Sequence, residues 1–262
     1  MSETFRYRAG ATPLLVSIPH DGREIPAVLR SRMTRSGLDI PDTDWHVARL
    51  YEFVEDIGGS VIIADFTRYV VDLNRPATDD ALYEGQVSTG LCPTKTFAGD
   101  AIYSGDDVSD AEAQVRIGKY WQPYHDRITK TLAELRAQYG YALLWDAHSI
   151  PSRVPRLFDG ELPQLNIGSN DGQSCAGDIA AAVASIARAS EFDTVLDARF
   201  KGGYITRHYG QPPDRVHALQ LEIAQRAYMD ESTRTFDDSK AAILCETLKP
   251  MLQAFLDAAK QQ

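Results

Sequence analysis

Two apolar runs end in the same way, and together they limit what this chain can fold into. Leu14-Leu15-Val16-Ser17-Ile18 closes in Pro19-His20-Asp21-Gly22, and Ala142-Leu143-Leu144-Trp145 closes in Asp146-Ala147-His148-Ser149. Each run reads as a buried strand that delivers a histidine beside an acid at its carboxyl end. In an open α/β sheet the ligand crevice lies beyond those ends. Two imidazoles reaching one crevice from separate strands can hold a metal ion between them.

The spacing elsewhere supports a sheet with helices between its strands. Val47, Leu50, Tyr51, Val54 and Ile57 predict a helix over about 45–57, with Asp42-Thr43-Asp44 before it and Gly58-Gly59 after it; a shorter helix is expected near 27–35. Residues 60–65 and 69–73 read as strands. The Gly- and Asp-rich stretch 77–107 has little periodicity and reads as a functional loop or lid. One long amphipathic helix is expected over about 109–139, kinked or divided at Pro123 and stopped by Gly140. Strands over 142–146, 164–168, 194–196 and 217–224, helices over 178–190 and 240–260, and an extended segment after Gly202-Gly203 complete the pattern. The prediction is an α/β fold, a mostly parallel mixed sheet with helices on both faces. At 262 residues, one domain over 1–262 is expected, since such folds run to about 250 residues as a unit.

Composition removes several function classes. The formal charge is −10 and the basic residues are scattered, so no stripe is available for a phosphate backbone and nucleic acid is not an expected partner. Arg68, Arg75, Arg207 and Arg215 could still form a local positive pocket for a small anionic substrate. Cys92, Cys175 and Cys245 show no disulfide or zinc-finger spacing. The first residues lack an apolar signal core, and no segment approaches the roughly 18 apolar residues of a membrane helix. A cytoplasmic protein without a membrane partner is expected; the choice between monomer and homo-oligomer stays open.

A catalytic zinc site takes three protein ligands and leaves a position for water. His20 and His148 are the first two candidates. Asp44 is the third, against the alternative that it caps the helix behind it; Glu24 and His46 are its substitutes. Glu222 interrupts the apolar run Ala218-Leu219-Gln220-Leu221-Glu222-Ile223, so burial would raise its pKa and suit it to general-base work, the other reading being the polar face of a strand. Asn74 and Arg75 stand together at a predicted strand end and suit a carboxylate, with Arg68 as a second anchor. The segment Gly202-Gly203-Tyr204-Ile205-Thr206-Arg207 is either a ligand-facing loop that brings in Tyr204 and Arg207, or a hinge. HExxH, GxSxG and phosphate-loop patterns are absent from the sequence.

Taken in order, Ser17-Ile18-Pro19-His20-Asp21-Gly22, Thr43-Asp44-Trp45-His46, Val71-Asp72-Leu73-Asn74-Arg75-Pro76, Pro123-Tyr124-His125, Asp146-Ala147-His148-Ser149, Leu165-Asn166-Ile167-Gly168 and Gly202 to Arg207 resemble the N-formylglutamate amidohydrolase (N-formylglutamate deformylase) family. The resemblance implies a phosphorylase/hydrolase-like α/β fold related to zinc carboxypeptidases. It also implies metal-dependent hydrolysis of N-formyl-L-glutamate to L-glutamate and formate in histidine degradation. His20, Asp44 and His148 would hold a divalent metal, Zn2+ being expected, and Glu222 would be the acid/base. The Asn74–Arg75 pair is similar to the pair that grips the substrate carboxylate in zinc carboxypeptidases. Two rivals remain: an amidohydrolase for another N-acyl amino acid or peptide, and a noncatalytic module that binds small acidic metabolites.

Overall fold

A seven-stranded mixed sheet carries the fold. The computed structural model describes residues 4–80, 89–105 and 107–260. The strands are β1 (Phe5–Arg8), β2 (Leu14–Ile18), β3 (Ser60–Ala64), β4 (Ala142–Ile150), β5 (Leu165–Gly168), β6 (Thr194–Leu196) and β7 (Val216–Ala224), in the spatial order β1-β3-β2-β4-β7-β5-β6. Pairs β2–β3, β2–β4, β4–β7 and β5–β6 are parallel, while β1–β3 and β5–β7 are antiparallel. A small hairpin, β8 (Met229–Asp230) with β9 (Thr235–Phe236), stands apart. The helices are α1 (Ala27–Arg30), α2 (Arg35–Leu38), α3 (Val47–Leu50), α4 (Asp110–Arg116), α5 (Gln122–Tyr139), α6 (Gly177–Arg188), α7 (Tyr204–Tyr209) and α8 (Asp238–Ala259).

Side chains alternate across a strand, and here the alternation separates two cores. Leu143, Trp145 and Ala147 of β4 and Leu219, Leu221 and Ile223 of β7 pack with α6 and α8. Ala142 and Leu144 of β4 and Ala218 of β7 face the other way, into a core built with α5 and α7. On that second face the apolar column stops partway. The register sets Asp146 beside Gln220 and His148 beside Glu222, so the carboxyl ends of two central strands present polar groups under cover. Every residue of β4 and β7 is buried, which removes the half-exposed-strand reading of Glu222.

The expected mostly parallel sheet with helices on both faces is present, but several local expectations need correction. Residues 69–73 form no strand: Val70, Val71 and Leu73 are apolar because they are buried in the α5-side core, not because they pair in a ladder. The helix over 45–57 shrinks to α3 and a 3-10 turn, Glu52–Glu55. Its cap comes from a distance, as the Asp21 carboxylate accepts from the backbone N–H of His46 and Ala48. The helix over 27–35 is split into short α1 and α2.

The long helix is divided as Pro123 requires. A π turn, Ile117–Trp121, joins α4 to α5 and leaves Pro123 in the first turn of α5, where its missing N–H costs little. Gly140, at φ 82°, then ends α5. After Gly203 the chain forms α7 in place of an extended segment. The lid expected over 77–107 falls partly on 81–88 and 106, outside the described residues. Among the described residues no helix is long and apolar enough to cross a membrane.

Candidate metal centre

His20 follows β2 and His148 lies near the end of β4, and their ring centroids are 4.9 Å apart. Each ring is oriented by a carboxylate on its far nitrogen. His20 Nε2 stands 2.7 Å from Asp72 Oδ1, and His148 Nε2 stands 3.0 Å from Asp146 Oδ2. A carboxylate only accepts, so His20 Nε2 carries the proton and His20 Nδ1 is left with a lone pair, whereas His148 has a carboxylate oxygen 3.0 Å from each ring nitrogen, an arrangement that favours its charged form. Both Nδ1 atoms face Asp44 Oδ2, His148 at 3.0 Å and His20 at 3.8 Å. Ligand atoms of His20, Asp44 and His148 lie within 4.8 Å of one another, and all three residues are buried.

The donor set fits a cation by its chemistry. His20 Nδ1 is a buried nitrogen with no hydrogen-bond partner, a costly state for a polar atom unless something else takes its lone pair. Imidazoles that ligate a metal characteristically donate their other N–H to a carboxylate, as His20 does to Asp72 here. Burial, together with Arg68, lowers the pKa of His20 and keeps it neutral. Burial would lower His148 as well, but the Asp146 and Asp44 carboxylates outweigh it and raise this ring well above its ordinary value.

Asp44 is a site residue and not a helix cap. Its backbone N–H donates to His20 carbonyl at 3.1 Å, and its Oδ2 accepts from Ser149 N–H at 3.1 Å. Burial pushes its carboxyl up, yet the nearby Arg68 guanidinium and the two imidazoles hold it below the usual carboxylate range. The substitutes lie elsewhere. Glu24 and His46 line a separate surface groove, where His46 Nε2 meets the Arg234 carbonyl at 2.9 Å.

Glu222 shares one pocket with His20 and His148. Burial, reinforced by the Asp44 charge, pushes its pKa up to about 8 against the opposing pull of His148 and Arg68. Gln220 Nε2 donates to Glu222 Oε2 at 3.3 Å, and Gln220 Oε1 accepts from Gly203 N–H at 2.6 Å. The Gly203 N–H therefore fixes the oxygen end of the amide and turns its nitrogen to the carboxyl.

The proposed anchors divide. Arg75 lines the pocket, and its guanidinium makes no hydrogen bond or ion pair with the described residues. Arg68 lines it too, but its Nη2 is paired with Asp44 Oδ1, so it serves Asp44 and is not an open anchor. Asn74 is also committed: Oδ1 accepts from Ile205 N–H at 2.8 Å, which turns Nδ2 to Asp146 Oδ2 at 3.2 Å and places it 2.9 Å from His148 Nε2. This contact needs a glycine at 203, where a Cβ would lie 2.3 Å from Asn74 Nδ2.

Tyr204 and Arg207 do not line the pocket. Because 204–209 is helical, Tyr204 stacks on His208 at 4.8 Å and Arg207 Nε turns back to the Gly202 carbonyl at 2.8 Å. Arg215 sits at the opposite end of β7, over Tyr141. Sequence reasoning missed Arg199, which lines the pocket from the loop after β6, and it gave no role to Asp72 or Asp146. Arg199 comes soon after β6, as His20 comes soon after β2, whereas Asp72 lies in the loop beyond β3 and Asp146 inside β4, where no such signal marks them.

Sheet topology and the buried His-Asp-His set, with Glu222 beside it, define an α/β protein with a candidate metal centre. The family model for N-formylglutamate amidohydrolase matches residues 12–229. The chain is 44% identical over 259 residues to an N-formylglutamate deformylase of Pseudomonas aeruginosa, covering 96% of this chain and 97% of that one. It is 42% identical to an N-formylglutamate deformylase of Pseudomonas putida, covering 98% and 97%. The chain belongs to the N-formylglutamate amidohydrolase family. Its fold is that of the N-formylglutamate amidohydrolase crystal structure from Ralstonia eutropha JMP134, with TM-score 0.82, 23% identity and 98% of each chain covered. A gene product of Agrobacterium tumefaciens shares the fold at TM-score 0.71 and 21% identity, with 96% of each chain covered.

Proposed function

We propose that this chain hydrolyses N-formyl-L-glutamate to L-glutamate and formate, as one catalytic domain over 1–262 holding a divalent ion, Zn2+ by preference, on His20, Asp44 and His148. One observation carries the reading: ring nitrogens of His20 and His148 and a carboxylate oxygen of Asp44 converge beside the pocket that Glu222 lines. Two imidazoles and a carboxylate are a donor set of catalytic zinc sites. The ion supplies Lewis acidity, polarising a carbonyl oxygen and making water more acidic.

The chain's own residues do the rest. Glu222 takes a proton from the attacking water as the C–O bond to the formyl carbon forms, and returns it to the amide nitrogen as the C–N bond breaks. A carboxyl near pKa 8 is suited to both transfers. Arg75 holds the α-carboxylate in a two-bond fork, so that the small formamide is oriented by a group remote from the bond that breaks. Asp72 keeps His20 in the tautomer whose Nδ1 can donate to an ion, and Asp146 stands behind His148 at 3.0 Å from Nε2.

The substrate is a small anion, and the reading places the activity in the cytoplasm, in histidine degradation; the cysteines are free, as in a reducing compartment. The donor set and the Asn74–Arg75 pair also support kinship with zinc carboxypeptidases within phosphorylase/hydrolase-like folds. The test is formate release from N-formyl-L-glutamate against glutamate release from N-acetyl-L-glutamate, with and without a chelator. Release from the formyl substrate that chelation abolishes and Zn2+ restores is expected, with His148→Ala inactive and metal-depleted. Equal turnover of the acetyl substrate, or full activity after chelation, overturns the reading.

A further inference from the structure

A glutamyl substrate carries two carboxylates, and Arg75 meets one. We propose that Arg199 binds the side-chain carboxylate and thereby sets the preference for an acidic over a neutral side chain, an inference that rests on the deformylase reading above. Arg199 lines the same pocket as His20, His148, Arg75 and Glu222. Its Nε and Nη2 both donate to the Leu157 carbonyl, at 3.2 and 2.6 Å, and its Cζ lies 5.4 Å from the Phe200 ring centroid. A guanidinium is planar with five N–H positions, so a shared carbonyl and an aromatic neighbour set its plane before any ligand arrives.

The loop that carries Arg199 is built into the sheet. At its start Asp197, at φ 51°, accepts from Ser169 N–H at 2.7 Å and Ser169 Oγ–H at 2.5 Å, while its own N–H donates to Ile167 carbonyl at 2.8 Å. At its end Asn170 N–H donates to Lys201 carbonyl at 2.6 Å and Gly203 N–H to Gln220 Oε1 at 2.6 Å. A left-handed backbone is disfavoured for a residue with a side chain, so such a position persists only where its surroundings hold it. These bonds hold it, and they leave Arg199 little freedom to lose on binding.

Substrate shape assigns the two arginines. Arg75 follows Asn74, which touches Asp146 and His148, and its charge acts on Asp72, the partner of His20. It thus stands on the donor side, where the α-carboxylate, two bonds from the formamide carbonyl carbon's nitrogen, must lie. Phe97, Ile150, Leu157 and Phe200 form an apolar wall of the pocket. Two methylenes suit that wall, and Arg199, bonded to Leu157 and beside Phe200, stands at it.

N-Formyl-L-glutamine keeps the shape and removes the charge, so it isolates this contact. Formate release is measured for wild type, Arg199→Gln, Arg199→Lys and Arg75→Gln on both substrates. Arg199→Gln should lose at least about 30-fold more kcat/KM on formylglutamate than on formylglutamine, through KM, with Arg199→Lys intermediate; a charge-assisted contact to a half-buried guanidinium has that weight. Arg75→Gln should lose comparably on both. Equal losses in Arg199→Gln overturn the proposal, as does an unchanged preference. Calorimetric titration with L-glutamate and L-glutamine reads the contact without turnover: Arg199→Gln should erase the preference for glutamate, and a retained preference refutes Arg199 even if wild type releases no formate. Absence of formate from wild type strikes the deformylase reading alone.

Discussion

The two faces of the central sheet have been put to different uses by the same strands. Toward α6 and α8, strands β4 and β7 are apolar along their length, with Leu143, Trp145, Ala147, Leu219, Leu221 and Ile223 all fully buried. Toward α5 and α7 they begin alike, with Leu144 and Ala218, and end in Asp146, His148, Gln220 and Glu222. Hydrophobic burial pays only on the first face over its full length. On the second, the carboxyl half spends that burial on polar groups that must find partners, and the partners are the site. The lesson is that one residue step along β7 moves from stability to chemistry.

Neighbouring substitutions on β7 break or sharpen that comparison most strongly. Glu222→Gln should lower kcat by about 10²- to 10⁴-fold and leave metal content and melting temperature near wild type, because the amide keeps the side chain's shape and Glu222 is not one of the three residues that could hold the ion. Loss of metal with the activity would show Glu222 to be a ligand. Leu221→Ala, one residue away, should destabilise by about 2–5 kcal/mol in urea melts, as large-to-small core changes do. Its kcat should hold below the transition; a kcat falling in step with stability would erase the distinction between the faces.

Smaller effects probe the supports. Asp146→Asn should weaken metal affinity by about 10- to 100-fold, the usual cost of removing a carboxylate from behind a ligating imidazole, read by competition with a chromogenic chelator. Unchanged affinity would make Asp146 a core residue only. The smallest effect is on pH. His125 on α5 is buried between the Tyr209 hydroxyl and the Leu73 carbonyl, each at 2.9 Å, and burial lowers its pKa to about 3 from an ordinary 6.5. Between those values the unfolded chain takes up a proton that the folded one refuses. Stability from this group is therefore full above 6.5 and falls as pH drops toward 3, by about 1.4 kcal/mol per pH unit. His125→Gln should flatten that slope in denaturation midpoints; an unchanged slope would assign the acid sensitivity elsewhere.

Legibility followed how local each signal is. His20 and His148 were readable because short apolar runs mark where strands end. Glu222 was readable because a carboxylate inside an alternating apolar run has few places to go. Arg68 and Asn74 were read as anchors from residue type, yet both are consumed by neighbours far away in sequence, Asp44 on one side and Asp146 with Ile205 on the other. Residues 69–73 look like a strand because burial alone calls for apolar residues, whether or not a ladder forms. Arg199 carried no local pattern: its loop is fixed by Ser169, Leu157 and Gln220, which the chain brings together only on folding.

The sequence by itself determined the layered α/β architecture, the family, and which imidazoles and carboxylates stand at strand ends, since periodicity and composition are properties of neighbouring residues. Tertiary structure decided which of those groups face one another, that Asp44 joins the histidines while Asp21 caps α3, and that Arg68 is taken up by Asp44 while Arg75 lines the pocket. Partner choice among polar groups depends on distances of a few ångströms between segments as much as 195 residues apart, and no local pattern encodes those.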